Sequence, residues 1–180
     1  MAERLCKTVV LVGMMGAGKT AIGTQLARML AVPFRDSDDE IALAANQSIA
    51  EIFERDGEPF FRRKETQVIA RLLEGGACVL STGGGAFLVE ANRNLIAAKG
   101  LSVWLRADLE ILWQRVRHKS TRPLLRTANP LETLRALHEA RTPVYELADL
   151  VVDAEPGLSV EAMARKVLAA LSARPDVLEE

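Results

Sequence analysis

The chain is short of aromatic residues, cysteines and net charge. Aromatic side chains make up 4% of the 180 residues, and the formal net charge is -1 at pH 7. A net charge near zero and so few aromatic rings for stacking argue against binding to nucleic acid or to an anionic membrane surface. The two cysteines, Cys6 and Cys78, form no C-x-x-C or other metal-ligand pattern. This absence favours reduced, buried thiols in a cytoplasmic protein.

Long hydrophobic runs are also absent. No stretch reaches the roughly 20 apolar residues of a membrane-spanning helix. The N-terminal apolar stretch is short and has no small-residue cleavage site, so no signal peptide is expected. Apolar residues still make up 49% of the chain, enough for one sizeable core. We therefore predict a single domain over residues 1–180, a monomer, with Glu179 and Glu180 as a frayed tail.

The chain does contain a phosphate-binding loop, since residues 13–20 match the pattern G-x-x-x-x-G-K-[ST] in full. A β-branched apolar run precedes this loop, and apolar residues at helical spacing follow it. In such a strand, loop and helix, backbone N–H groups surround a triphosphate at the helix N-terminus. We expect Lys19 to reach the β- and γ-phosphates and the Thr20 hydroxyl to bind Mg²⁺.

Short apolar runs alternate with longer helical patterns along the rest of the chain. Helix start signals include a capping box at Ser48 and Glu51, and an Asn129 cap followed by Pro130. Five strands separated by helices predict an α/β fold. The predicted strands are residues 8–12, 33–35, 78–81, 102–105 and 150–152.

Two carboxylates follow the second predicted strand. Positions 36 and 38 point to one side if the chain stays extended, and sites in parallel sheets lie at the carboxyl ends of strands. We predict that Asp36 holds Mg²⁺ through water and that Asp38 orients an acceptor hydroxyl and accepts its proton. The competing interpretation is capping by Ser37, Asp38 or Asp39 of a helix that begins near Glu40.

Three consecutive glycines, residues 83–85, come directly after the third predicted strand. Glycine permits a close approach of the backbone to another group. The functional interpretation is a wall of N–H groups against which an oxygen-rich acceptor rests. The alternative is simply a flexible turn.

Three arginines are candidates for binding anions. Arg62 has Glu65 at i+3 on the same helical face, and Arg141 precedes Thr142 and Pro143. Guanidinium groups pair with carboxylates in a planar, bidentate way, so these two arginines suit a carboxylated acceptor. The alternative for each is a surface charge or a structural ion pair.

The third arginine, Arg122, lies in a basic stretch, residues 111–131, that contains no acidic residue before Glu132. It precedes a proline and two leucines, which predicts an arginine on a mobile lid over the phosphates. The alternative is a solvated basic surface. Tyr145 and Trp113 carry no pattern of their own and are predicted as ordinary packing residues, and Trp104 as core.

In the order of these motifs, the chain resembles the shikimate kinases over nearly its whole length. The resemblance implies a P-loop NTPase fold of the nucleoside monophosphate kinase type, with a five-stranded parallel sheet flanked by helices. It also implies a substrate-binding region over about residues 38–65 and a mobile lid over about residues 115–128. The resemblance rests on residues 13–20, 36–38, 61–65, 82–85, 122–125, 141 and 143–145.

The resemblance further implies transfer of phosphate from ATP to the 3-hydroxyl of shikimate, with Mg²⁺ as cofactor, on the pathway to chorismate and aromatic amino acids. It implies catalytic roles for Asp38, Lys19 and Arg122, and a place for Arg115 against adenine. The implied ATP-binding residues are Gly16, Ala17, Gly18, Lys19, Thr20, Ala21 and Arg122. The implied shikimate-binding residues are Asp38, Arg62, Gly84 and Arg141.

Two positions depart from this pattern. Ala21 replaces the usual Ser or Thr after the metal-binding hydroxyl, and residues 154–156 lack a basic contact on the adenine side. Two other interpretations therefore stay open. One is a gluconate kinase, which shares the phosphate loop and also takes a carboxylated polyol. The other is a nucleotide-binding regulatory module without transferase activity.

Overall fold

The computed structural model describes residues 3–118 and 126–180. Within these ranges no helix is long and apolar enough to cross a membrane. The strands are β1 (Arg4–Leu5), β2 (Thr8–Val12), β3 (Phe34–Asp36), β4 (Val79–Ser81), β5 (Gly100–Arg106), β6 (Leu150–Asp153) and β7 (Leu178–Glu179). The α-helices are α1 (Lys19–Leu30), α2 (Ser37–Ala45), α3 (Ile49–Glu74), α4 (Glu90–Lys99), α5 (Leu109–Val116), α6 (Pro130–Tyr145) and α7 (Val160–Leu171). A short 3₁₀ helix spans Ala86–Leu88.

Five strands form one parallel sheet in the order β3-β4-β2-β5-β6. The prediction of an α/β fold with five parallel strands is confirmed, and the strand bounds differ from the predicted ones by at most two residues. Because the strands are parallel, their carboxyl ends share one edge. The loops after β2, β3 and β4 therefore meet at that edge, which is where ligands bind in such sheets.

The central strand β2 lies in the main hydrophobic core. Val9, Val10 and Leu11 are fully buried, as expected for a parallel strand covered on both faces. Helices α1 and α7 pack against each other, and Leu26 and Val167 are also fully buried. Burial of each such side chain contributes about 1.5–3 kcal/mol, so the loop that follows β2 starts from a rigid position.

The helix α3 has a kink that divides it. Gly57 has φ 81° and ψ 170°, and Pro59 follows, so the chain leaves the helical conformation here and re-enters it. The predicted cap at the start of α3 is confirmed, since the Glu51 N–H donates to Ser48 Oγ at 3.1 Å. A small second core between α2 and α3, containing Ile41, Ile52, Phe61 and Val68, holds the two segments in place.

The expected lid falls largely outside the described residues. Helix α5 ends at Val116, and α6 begins after its predicted cap, Asn129, whose Oδ1 accepts from the Glu132 N–H at 3.3 Å. Residues 119–125, which include the proposed lid arginine Arg122, are not among those described.

Two predictions about the chain outside the sheet are wrong. Glu179 is not frayed, because β7 pairs with β1 in an antiparallel arrangement that joins Arg4 to Glu179. Apolar burial of the preceding residues Val177 and Leu178 holds this pair. Cys6 is exposed because it lies just after the short edge strand β1, whereas Cys78 is buried as predicted.

Candidate active site

The phosphate-binding loop turns sharply at its glycines. Gly18 is the N-cap of α1 with φ 93°, a left-handed conformation in which a residue with a Cβ is strained. No described side chain caps α1, and its first turn contains no acidic residue. The N–H groups of the first turn and the positive end of the helix dipole therefore face the cavity, as an anion site requires.

Two cationic side chains lie against this loop. Lys19 Nζ donates to the carbonyl oxygens of Gly13 at 2.6 Å and Met14 at 3.2 Å. Arg115 Nη1 donates to the Gly16 carbonyl at 3.0 Å, which fastens α5 to the loop. The loop is thus surrounded by positive charge, which favours polyphosphate.

The helix after β3 begins earlier than predicted. It starts at Ser37, and the cap is Asp36, whose Oδ1 accepts from the backbone N–H groups of Asp38 at 2.9 Å and Asp39 at 3.1 Å. The prediction that Ser37, Asp38 or Asp39 caps this helix is therefore wrong. The condition that the chain stays extended from Asp36 to Asp38 is not met either, because the capped helix starts one residue after Asp36.

The start of α2 places Asp38 in a half-buried position near the loop, with its Oδ1 atom buried. Burial raises the pKa of Asp38 to about 6, the Asp36 and Asp39 carboxylates act in the same direction, and Lys19 and Arg62 oppose the shift. Burial also raises the pKa of Asp36. Among the described residues, no hydrogen-bond partner reaches Asp38 Oδ1. A buried carboxyl with a pKa near neutrality is suited to accept a proton.

The turn of Gly83, Gly84 and Gly85, hereafter the glycine turn, places each glycine against one candidate side chain. A Cβ on Gly83 would lie 2.8 Å from an Asp38 carboxylate oxygen, and one on Gly84 would lie 3.0 Å from an Arg141 guanidinium nitrogen. A Cβ on Gly85 would overlap the Arg62 guanidinium. An alanine at any of the three positions would therefore displace the side chain that it meets, and the displacement would be smallest at Gly84.

Arg62 is held from its own helix. Its Nη1 donates to Glu65 Oε1 at 2.9 Å, which confirms the predicted i+3 pair. Burial raises the pKa of Glu65, and the Arg62 charge opposes this shift. The buried Asn92 lies 3.5 Å from Glu65 Oε1 and donates to the Ala86 carbonyl at 2.9 Å. The sequence analysis missed Asn92, since a single amide in α4 carries no local signal.

Arg141 lies on α6, one turn before Tyr145. The Tyr145 hydroxyl donates to the Gly84 carbonyl at 2.6 Å, and its ring lies 5.9 Å from that of Trp104. The interpretation of Tyr145 as a packing residue is incomplete, because its hydroxyl contacts the glycine turn. Its position four residues after Arg141, on the same helical face, was the signal available in the sequence.

These elements enclose a cavity of about 470 Å³. The cavity brings Lys19 and Asp38 together, whereas Arg62 and Arg141 do not line it and lie against Gly85 and Gly84 of the glycine turn. Ala17 is buried and does not line the cavity, and its N–H donates to the Met14 carbonyl at 3.1 Å. The residues that line the cavity are Met14, Met15, Gly16, Gly18, Lys19, Thr20, Ala21, Asp36, Asp38, Ser81, Thr82, Gly83, Gly84 and Arg115.

The phosphate loop follows the central strand of this five-stranded parallel sheet, and a carboxyl and two arginines lie beside it. This arrangement defines a P-loop kinase of the nucleoside monophosphate kinase type. The family model of shikimate kinase matches residues 15–172. The chain belongs to the shikimate kinase family and is an enzyme of that family.

Known proteins similar to this chain support the assignment. The shikimate kinase of Cereibacter sphaeroides is 69% identical over 176 residues, which cover 98% of this chain and 88% of that protein. A shikimate kinase from Acinetobacter baumannii, solved in complex with shikimate, superposes with a TM-score of 0.87 at 39% identity, covering 93% of this chain and 94% of that one. A gluconokinase from Sinorhizobium meliloti superposes over 94% of each chain with a TM-score of 0.63 at 19% identity, which shows a shared fold only.

Proposed function

We propose that the cavity binds ATP and shikimate side by side, and that the γ-phosphoryl group of ATP passes to the 3-hydroxyl of shikimate. The products are ADP and shikimate 3-phosphate, on the pathway to chorismate and aromatic amino acids. The observation that carries this proposal is that Lys19 and Asp38 line one cavity, beside a glycine turn contacted by two arginines.

The phosphate loop is the ATP half of this site. Residues 16–21 wrap the phosphates, and backbone N–H groups at the uncapped end of α1 bind the phosphate oxygens. Lys19 adds a positive charge beside the β- and γ-phosphates, and Arg115, fastened to Gly16, lies on the side toward the nucleoside. Arg122 stays a prediction as the arginine that closes over the phosphates, since it is not among the described residues.

The glycine turn is the acceptor half. Arg62 and Arg141 bind the shikimate carboxylate, because each lies against the turn and a guanidinium pairs with a carboxylate through two parallel hydrogen bonds. Gly84 contacts the bound ring, and its lack of a side chain leaves room for it. Asp38 accepts a hydrogen bond from a ring hydroxyl.

Asp38 aims the nucleophile and accepts its proton. As the hydroxyl oxygen forms a bond to the γ-phosphorus, the bond to the β,γ-bridging oxygen breaks and ADP leaves. The proton of the hydroxyl passes to the Asp38 carboxylate, which is half-protonated at about pH 6. Lys19 and the N–H groups of the loop stabilise the charge that spreads over the transferred group.

Mg²⁺ fits the donor groups of this site. Thr20 supplies a hydroxyl and Asp36 a carboxylate in the same cavity, with Asp36 acting through water. The described residues contain no cluster of three or more His, Cys, Asp or Glu, in keeping with an ion that retains waters and binds phosphate oxygens. When bound, the ion neutralises charge on the phosphates.

The remaining expectations from the sequence form part of the same proposal. They are a single domain over residues 1–180, a monomer, and a place in the cytoplasm. The weak net charge supports small molecules as partners, without nucleic acid or a membrane surface.

The test is an assay of ADP release with shikimate and gluconate measured side by side. We expect shikimate to stimulate ADP release strongly and gluconate to leave it near the basal rate. R141A should lose most of the stimulation at low shikimate and regain it at high shikimate. Stimulation by gluconate that equals or exceeds that by shikimate would contradict the proposal. Tight ATP binding with no stimulation by either acceptor would instead indicate a regulatory module.

A further inference from the structure

Tyr145 links the helix that carries Arg141 to the turn that Arg141 contacts. Its hydroxyl donates to the Gly84 carbonyl at 2.6 Å, a short bond made between residues 61 positions apart. A Cβ added to Gly84 would lie 3.0 Å from Arg141 Nη1. Gly84 therefore lies against two side chains of α6.

The spacing on α6 makes this arrangement possible. Arg141 and Tyr145 are four residues apart, so they lie on one face of the helix, one turn from each other. The phenol is buried, with its ring against Trp104, and burial raises the pKa of Tyr145 while the nearby Arg141 charge and hydrogen bond oppose the shift. The hydroxyl therefore stays protonated at neutral pH and remains a hydrogen-bond donor.

We propose that Tyr145 is a positioning residue, whose hydroxyl fixes the distance between the glycine turn and Arg141 and so sets the geometry of the carboxylate-binding site. The proposal rests on the proposed function, in which Arg141 and Gly84 bind shikimate. Tyr145 itself does not touch the substrate in this account.

The distance matters because the carboxylate is bound by two arginines from different elements. Arg62 lies on α3 against Gly85, and Arg141 lies on α6 against Gly84. Asn92 holds the other end of the turn through the Ala86 carbonyl, at 2.9 Å. Without the Tyr145 hydroxyl, α6 loses its hydrogen bond to the glycine turn, whereas the Asn92 bond at the other end remains. Arg141 then moves relative to Arg62, and the pair loses its fit to one planar carboxylate.

The test is Y145F, which removes the hydroxyl and keeps the ring that packs on Trp104. We expect the KM for shikimate to rise about three- to tenfold, the usual effect of losing one hydrogen bond. The KM for ATP should stay near that of the unmodified enzyme, and the melting temperature should fall by only a few degrees as the Gly84 carbonyl loses its donor. The matched control is T142V, which removes a hydroxyl that donates to the His138 carbonyl, also at 2.6 Å, within the same helix. T142V should not change the KM for shikimate.

The double mutant of Y145F and R141A distinguishes a positioning role of Tyr145 from a general loss of stability. If Tyr145 acts through Arg141, Y145F adds little to the KM of R141A, because the two changes remove one interaction. The inference is overturned if Y145F leaves the KM for shikimate unchanged. It is also overturned if Y145F raises this KM by the same factor in the R141A background, or if T142V raises it as much as Y145F does. If R141A itself leaves the KM unchanged, the carboxylate contact of the proposed function fails, and the inference fails with it.

Discussion

Gly85 lies directly against the guanidinium of Arg62, so that a Cβ at position 85 would overlap Nη2 of the arginine. The backbone of Gly85 has φ -92° and ψ -7°, a conformation that alanine also adopts. The need for glycine here comes from the contact with Arg62, since the backbone conformation does not require it.

This contact predicts the effect of G85A. The added methyl should push the Arg62 guanidinium away from the acceptor site and raise the KM for shikimate by about tenfold or more, equivalent to about 1.4 kcal/mol. The KM for ATP should change little, because the phosphate loop is on another strand. Steady-state kinetics with each substrate varied measures both values. The control is G76A, where a Cβ would meet nothing within 4 Å; an equal effect in G76A would contradict the account.

Asp38 should control the acidic side of the pH profile. Burial raises its pKa to about 6, so the carboxylate becomes protonated, and unable to accept a proton, as the pH falls through that value. We expect kcat/KM for shikimate to rise with pH through about 6 and then level off. D38N should lower kcat by roughly 10²–10⁴-fold and abolish this pH dependence, with ATP binding retained. An acidic limb that persists in D38N with near-normal kcat would show that another group is the proton acceptor.

The same carboxyl should lower the stability of the fold at neutral pH. The folded-state pKa of about 6 exceeds the ordinary value of 3.8, so the folded chain binds the proton more tightly than the unfolded chain. The free energy of unfolding therefore falls as the pH rises from about 4 to 6, by about 2–3 kcal/mol. D38N should melt at a higher temperature than the unmodified enzyme at pH 8, and the difference should shrink toward pH 4. D39N should show a much smaller gain, because it removes only one of the charges that add to the effect of burial on the Asp38 pKa.

Thr20 should govern the requirement for the metal ion. Removal of divalent cations with a chelator should abolish ADP release, and T20A should raise the Mg²⁺ concentration for half-maximal activity by about tenfold. Activity measured across a Mg²⁺ titration gives this value. T24A is the matched control, because the Thr24 hydroxyl donates to the Thr20 carbonyl at 2.7 Å and lies one turn away. Equal Mg²⁺ curves for T20A and T24A would exclude Thr20 as a ligand.

Local sequence patterns were sufficient to predict the sheet and the phosphate loop. The buried strand at residues 8–12 and the caps at Ser48 and Asn129 each depend on a few adjacent residues, and all three are confirmed. The pairing of Arg62 with Glu65 is also local to one helical turn, and it too is confirmed.

Contacts between distant parts of the chain were not predictable in this way. The hydrogen bond from Tyr145 to Gly84 joins residues that become neighbours only when α6 docks beside the glycine turn. The pairing of β7 with β1 likewise depends on the complete fold. The cap role of Asp36 was missed for a local reason, because its three following neighbours are also good caps and sequence alone does not choose among four adjacent candidates.

The pairing of β1 with β7 has a consequence for the order in which the helices and strands can follow one another along the chain. Arg4 and Glu179 occupy adjacent strands, so a short glycine-rich connection could join them without disturbing the sheet. The polypeptide could then be opened at the exposed turn of Gly75 and Gly76, giving a circularly permuted enzyme with the same three-dimensional arrangement. The fold thus determines where the helices and strands lie in space, but it allows their order along the polypeptide to be changed.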